Sequence, residues 1–348
     1  MYFKSWILLS ISFFGLCSIT AARAEQASYS LKSLRKTVLS GPAQGTFYHI
    51  TYFDTQELVS KNDIDSVLKV IDLSMSIYNP SSTISLFNKE ERSAVKLDRH
   101  FQKVVDASFR YNRITKGIFD ITVAPLVQLW GFGPKQIKHF PDSNEINATL
   151  ASVGMDKLIW KAPYLKKSKP NVSIDVNGIA QGYSVDVLAK FLESKHIKNY
   201  IVELGGEMRV KGRNQAGEFF KIGVERPASS HNQLLKTEVV HIKSGALTTA
   251  GNFEKYMMNG KQKISHHVNP LTGYMFSSPV VSVTVYAKTA MEADALDNYF
   301  MALTPDEILD FVKKRKNLEV YIIFNNEKGE IEEKYSKGFS NFFLKKTI

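Results

Sequence analysis

A chain of 348 residues, 44% hydrophobic and 23% charged, suits one large or two small globular domains. Its formal charge of +11 would suit nucleic acid, an anionic membrane or an acidic ligand. The cations are scattered, however, with short clusters such as Lys166-Lys167, Lys313-Lys314-Arg315 and Lys345-Lys346, so most of this charge is solvated surface.

The first 24 residues read as a secretory signal peptide. Lys4 gives a positive start, Trp6 to Cys17 is apolar, and Ala22-Arg23-Ala24 fits a cleavage site. That apolar run is too short to span a bilayer, and no later segment is long and apolar enough to do so. Cleavage removes Cys17, the only cysteine, and with it thiol chemistry and disulfides. It also lowers the charge to +9, because the leader holds Lys4 and Arg23 and no acid. Lipidation at Cys17 is the alternative and the only route to membrane contact, but Phe14-Gly15-Leu16 is a poor lipobox. Export argues against a nucleic-acid partner.

Residues 25–40 lack a clear period and read as a tether to a single domain over 41–345. Thr46 to Phe53 is a strand candidate. Ile64, Val67, Leu68 and Ile71 mark an amphipathic helix capped by Asn62 or Asp63. Met75 to Asn88 is polar and turn-rich. Asp98 caps a helix bearing Phe101, Val104, Val105 and Phe109, which Gly117 stops. Gly117 to Pro134, GIFDITVAPLVQLWGFGP, is apolar and aromatic yet carries glycines and prolines that neither a regular helix nor a regular strand tolerates easily. Such a loop is either core filler under a cap or the wall of an aromatic ligand's pocket.

Val172 to Val176 alternates as a short strand, Asn177-Gly178 is a turn signal, and a helix follows with Val185, Leu188, Ala189 and Leu192 on one face. A strand, glycine turn and helix can bind an anion over free backbone N–H groups, though plain connections have the same form. Asn199 to Gly212 is a strand broken by Gly205-Gly206, either a β-bulge or a close approach of backbone to ligand. Phe219 to Val224, Glu238 to Ile242 and Val280 to Ala287 are strands, and Met291 to Leu303 is a helix. Thr304-Pro305-Asp306-Glu307 carries a capping box for another helix. Leu318 to Phe324 and Ile331 to Tyr335 form a hairpin around Asn325 to Gly329. The elements lack a βαβα rhythm, so the class is α+β.

Taken in order, the motifs resemble those of the ApbE-like FAD:protein FMN transferases from Gly45 to about Leu303. Gly45-Thr46 resembles the family's Met-Gly-Thr, with Gln44 in place of Met. Tyr78 with Ser82 to Asn88, then Phe119-Asp120, Pro125-Leu126 and Trp130-Gly131-Phe132-Gly133, are similar to two further family segments, the last highly specific. Asp175, Gly182-Tyr183 and Asp186, then Gly205-Gly206, Ser265-His266, Pro270, Thr272-Gly273 and Ala293-Asp294-Ala295-Leu296, complete the series.

The resemblance implies an ApbE-like, T-fold-related α+β fold of mixed sheets with packed helices. It implies an exported, periplasmic enzyme that uses Mg2+, cleaves FAD, passes FMN to a threonine hydroxyl of a partner and releases AMP. The partner would be a flavoprotein subunit of a membrane redox complex. By resemblance His266 carries the proton, and Tyr78, Ile118, Phe119, Asp120, Asp175, Gln181, Gly205, Gly206 and Val268 meet FAD. The Gly178 carbonyl, Asp294 and Asn298 would take the metal; the last two, four apart, share a helix face. A pyrophosphate would find backbone donors at Gly178 to Gly182, and the flavin or adenine an aromatic wall of Tyr78, Phe119 and Trp130. His267 has no counterpart and is expected to be exposed. The chain departs from the family at Asn298 (usually Thr), Asn269 (Asp), Gln181 (Lys or Glu) and Ala250 (Ser). Two other activities stay open: hydrolysis of FAD to FMN and AMP, and flavin binding without chemistry.

Overall fold

A computed structural model describes residues 33–89, 93–225, 237–252, 256–259 and 262–343. The signal peptide over 1–24, Cys17, the first part of the tether and Lys345-Lys346 lie outside the described residues. The strands are β1 (Arg35–Ala43), β2 (Thr46–Asp54), β3 (Ala94–Lys96), β4 (Leu158–Lys161), β5 (Tyr164–Lys167), β6 (Asn199–Leu204), β7 (Glu207–Lys211), β8 (Phe220–Glu225), β9 (Thr237–Ile242), β10 (Ser244–Gly251), β11 (Tyr256–Asn259), β12 (Gln262–Ser265), β13 (Val280–Ala287), β14 (Glu319–Asn325) and β15 (Ile331–Tyr335). The helices are α1 (Lys61–Met75), α2 (Thr83–Asn88), α3 (Arg99–Ile114), α4 (Ala124–Leu129), α5 (Ser143–Leu150), α6 (Asn177–Ser194), α7 (Ala290–Phe300) and α8 (Pro305–Lys313).

An eight-stranded sheet in the order β1-β2-β6-β7-β10-β13-β14-β15 forms the spine. Its neighbours all pair antiparallel, as hairpins and returning connections dictate. Strand alternation divides its side chains between two faces. Tyr48, Ile50, Tyr52, Tyr200, Val202 and Leu204 meet α6 residues Val185, Leu188, Ala189 and Leu192 on one face. On the other, Val210, Leu247, Tyr321 and Ile323 are covered by the β8–β9 pair and by Phe339. A larger apolar cluster joins α1, α2, α3 and α7 to β13 and β14. The class is α+β, as expected, with helices on one face of an antiparallel sheet.

Local differences from the sequence reading have physical causes. β1 starts at Arg35, inside the segment read as a tether, and pairs over its whole length with β2. Ser60, rather than Asn62 or Asp63, caps α1; Asp63 closes the capping box from the third helical position. The turn-rich stretch before Asn88 contains α2, capped by Ser82. The loop from Gly117 holds a short 3-10 turn at Ile121–Val123 and then α4, whose proline falls in its first turn, where no helical N–H is required.

Val172 to Val176 is not a strand. The Asn88 side chain takes the place of a neighbouring strand: its Nδ2 donates to the Ile174 carbonyl and its Oδ1 accepts the Ile174 amide, both at 2.8 Å. Gly205-Gly206 is neither bulge nor break but the two-residue turn of the β6–β7 hairpin. Its φ values of 63° and 107° are the left-handed ones that suit glycine. Asn177 and Gly178 are the first helical residues of α6, with a kink at Gly178.

Candidate active site

The site is assembled around the contact between α6 and α7. Gly182 makes that contact possible, because a Cβ there would lie 2.4 Å from the Ala290 carbonyl oxygen and 2.8 Å from the Asp294 Cβ. The close approach lets the Gly182 N–H donate to Asp294 Oδ2 at 2.8 Å. The start of α7 is fixed by Asp186, one turn further along α6. Its carboxylate accepts the Ala290 and Met291 amides at 3.1 and 3.0 Å and pairs with Arg209.

Asp294 and Asp297 are both 3% exposed, three apart on α7, and therefore neighbours. Burial raises the proton affinity of each carboxyl; Asp186 adds to the effect at Asp294, and Asp294 adds to it at Asp297. Asn298 turns its NH2 group to the Asp294 carbonyl at 3.1 Å and to Asp297 Oδ1 at 3.0 Å. The same side chain lies over Gly178, where a Cβ would meet its Nδ2 at 3.3 Å. Asp294, Asn298 and Gly178 are thus brought together.

His267 is buried rather than exposed, and its ring borders the Asn298 side chain. Burial pushes its pKa down to about 3, with neighbouring His266 adding to the shift, so the ring is neutral. The His266 ring lies on the His267 ring with centroids 3.9 Å apart and meets Phe132 edge-on at 6.2 Å. His266 is therefore linked to Asn298 through His267.

Phe119 joins this group: its ring lies 4.0 Å from the Cβ position of Gly178 and meets Tyr111 edge-on. Asp120 is tied to the protein itself, accepting the Thr122 amide and hydroxyl and the Met155 amide, and burial raises its proton affinity. Asp175 accepts the Asn177 amide at 2.8 Å, and its own amide donates to the Ile121 carbonyl. Burial raises the Asp175 carboxyl as well. Gln181 and Gly205 form a second group beside Thr46, with Gln181 Nε2 2.6 Å and Thr46 Cγ2 2.8 Å from the Cβ position of Gly205. Gly206 is exposed at the same turn, and its amide donates to Glu203. Val268 is buried and bridges to Met275, away from solvent. Ile118 is half-buried beside Gly117, whose Cβ position is 3.3 Å from Leu271.

Two expectations change. The amides around Gly178 to Gly182 are largely engaged: Asn177 donates to Asp175, Ile179 and Ala180 to the Val176 carbonyl, and Gly182 to Asp294. The turn is thus no open row of donors for a pyrophosphate. The aromatic wall is also divided. Tyr78 is exposed, whereas Phe119 and Trp130 are buried, and the Trp130 Nε1–H donates to the Gly273 carbonyl at 2.8 Å. Sequence reasoning assigned Asp297 no role and named Asn88 only as the end of a family segment; the three-residue spacing from Asp294 was the available signal for the former.

Among the described residues no three His, Cys, Asp or Glu side chains converge to hold a metal. The set at issue here is different, combining a carboxylate, a carboxamide and a main-chain carbonyl. It fits a divalent cation on one observation: among the described residues, neither buried carboxylate has a lysine or arginine beside it.

The chain is 32% identical over 330 residues to the FAD:protein FMN transferase of Haemophilus influenzae, covering 91% of this chain and 95% of that protein. It is 34% identical over 320 residues to the FAD:protein FMN transferase of Vibrio cholerae, covering 90% and 95%. The solved structure of the flavin transferase ApbE from Vibrio cholerae superposes with a TM-score of 0.81 at 32% identity, over 89% of this chain and all of that one. The ApbE protein of Thermotoga maritima gives 0.76 at 26% identity, again over 89% of this chain. The ApbE family profile matches residues 44–322, which span β2 to β13, α6, α7 and the paired histidines, and the chain belongs to the ApbE family.

Proposed function

We propose that this protein transfers FMN from FAD to a threonine hydroxyl of an acceptor protein and releases AMP. The convergence of Gly178, the Asp294–Asn298 helix face and the His266–His267 pair carries the reading. The relatives' names, FAD:protein FMN transferase, support it. Asp294, Asn298 and the Gly178 carbonyl would hold Mg2+, which when bound neutralises phosphate charge. Phe119 and Asp175, beside Gly178 and Asn177, and Gln181 with Gly205 further along α6, would bound the FAD site.

His266 takes the proton of the incoming hydroxyl as the threonine oxygen bonds to the FMN phosphorus. The bond from that phosphorus to the bridging oxygen breaks, and AMP leaves with that oxygen. Neutral His267, its ring tilted 37° against that of His266, adds no charge of its own beside it. The leader composition supports export to the periplasm, where the acceptor would be a flavin-carrying subunit of a membrane redox complex.

The test is to incubate the mature chain with FAD, Mg2+ and an acceptor domain, weigh the acceptor and assay AMP. Covalent label with AMP is expected. AMP without label would make the protein a hydrolase, and bound FAD without AMP would make it a flavin carrier. His266→Ala should slow turnover about 10²- to 10⁴-fold. Asp294→Ala should abolish the Mg2+-dependent reaction; undiminished AMP release would overturn the metal assignment.

A further inference from the structure

The Asn298 side chain poses a question that a threonine at the same position would not. A threonine offers a cation its one hydroxyl oxygen. A carboxamide has two unlike ends, and only its oxygen can be a ligand. Asn298 directs its NH2 end at two acceptors, the Asp294 main-chain carbonyl at 3.1 Å and Asp297 Oδ1 at 3.0 Å. Reversing the amide would set its oxygen against two other oxygens, so these acceptors determine which end faces away. The Asp294 carbonyl is present whatever the side chain. Asp297 is the side-chain acceptor of the two: a carboxyl group 3% exposed, with no basic partner among the described residues and the Thr248 side chain beside it.

We propose that Asp297 is a positioning residue that anchors the Asn298 NH2 group and so presents the Asn298 oxygen to the cation. The inference rests on the Mg2+ reading above. It assigns Asp297 an outer-shell role, in which a carboxylate orients a ligand without touching the ion. The alternative is that Asp297 serves only the packing of α7 on β10, in which case its loss would act equally whatever stands at 298.

A double-mutant cycle separates the two, read by the rise in melting temperature of the mature chain as Mg2+ is titrated at fixed FAD. In the wild-type background Asp297→Ala should raise the Mg2+ needed for half the shift by about 10- to 100-fold, the usual cost of an outer-shell partner. Asn298→Thr alone sets the reference Mg2+ requirement of a second background, in which the ligand is a hydroxyl that needs no such orientation. Adding Asp297→Ala to Asn298→Thr should then change the Mg2+ requirement by less than about threefold. Asp297→Ser, whose short hydroxyl does not extend as far as the carboxylate, serves if the alanine variant does not fold. An unchanged Mg2+ requirement in Asp297→Ala, or an equal loss in both backgrounds, would overturn the inference while leaving the cation reading intact. A wild-type melting temperature indifferent to Mg2+ would remove the cation and the inference together.

Discussion

The side chain of Asn88 closes a ring of two hydrogen bonds with the main chain of Ile174, a residue buried completely. Those two backbone groups would otherwise be unpaired in an apolar surrounding, because no strand lies alongside. Asn88→Ala should therefore cost about 2 to 4 kcal/mol, one unmet donor and one unmet acceptor, measured by urea denaturation. A loss below about 0.5 kcal/mol would mean that water replaces the side chain. Because Ile174 directly precedes Asp175 and α6, the variant should also bind FAD more weakly than its stability loss alone explains. His267 is instructive at the same scale. Its neighbours in sequence give no hint of burial, yet the ring lies between His266 and Asn298.

Among the elements, α6 and α7 form the frame on which the site is built, and their spacing is set by one missing side chain. Gly182→Ala would drive a Cβ into the Ala290 carbonyl, backbone that cannot swing aside. The helices would have to separate, at a cost of about 1 to 3 kcal/mol, and the bond from Gly182 to Asp294 would lengthen. Thermal melting should show the loss of stability, and the Mg2+-induced shift should shrink with it. A variant that melts like the wild type would show that α7 has room to slide. The Asp186 carboxylate does the complementary work, tying the first amides of α7 to α6 so that Asp294 and Asn298 stand at a fixed height.

For the whole molecule, the eight-stranded sheet ends at β1 on one side. β1 begins where the sequence suggested a tether, and Leu39 sits in the cluster that α6 covers. A chain shortened to begin at Gln44 would leave β2 as an exposed edge with its ladder unpaired along nine residues. It should associate or aggregate where a chain that keeps β1 does not. Light scattering after size exclusion would decide, and a monodisperse shortened monomer with native stability would show that β1 is dispensable.

The sequence by itself determined the α+β class and most elements, because alternation, caps and turn residues act locally. The β14–β15 hairpin, the Thr304 capping box and the buried stripe of α6 follow from neighbours a few positions apart. The ordered motifs also identified the family and the helix face shared by Asp294 and Asn298. Tertiary structure alone decided what those residues touch. Gly178 and Gly182 meet α7 across more than a hundred positions of chain. Asn88 stands in for the neighbour of the segment that periodicity read as a strand, since alternation reports an extended backbone and not the partner that satisfies it. Phe119 and Trp130 are buried among other side chains rather than lining an open wall, which composition cannot distinguish. Asp297 looks like one more surface acid in a helix until the fold buries it beside Asp294 and sets it to accept the Asn298 NH2 group.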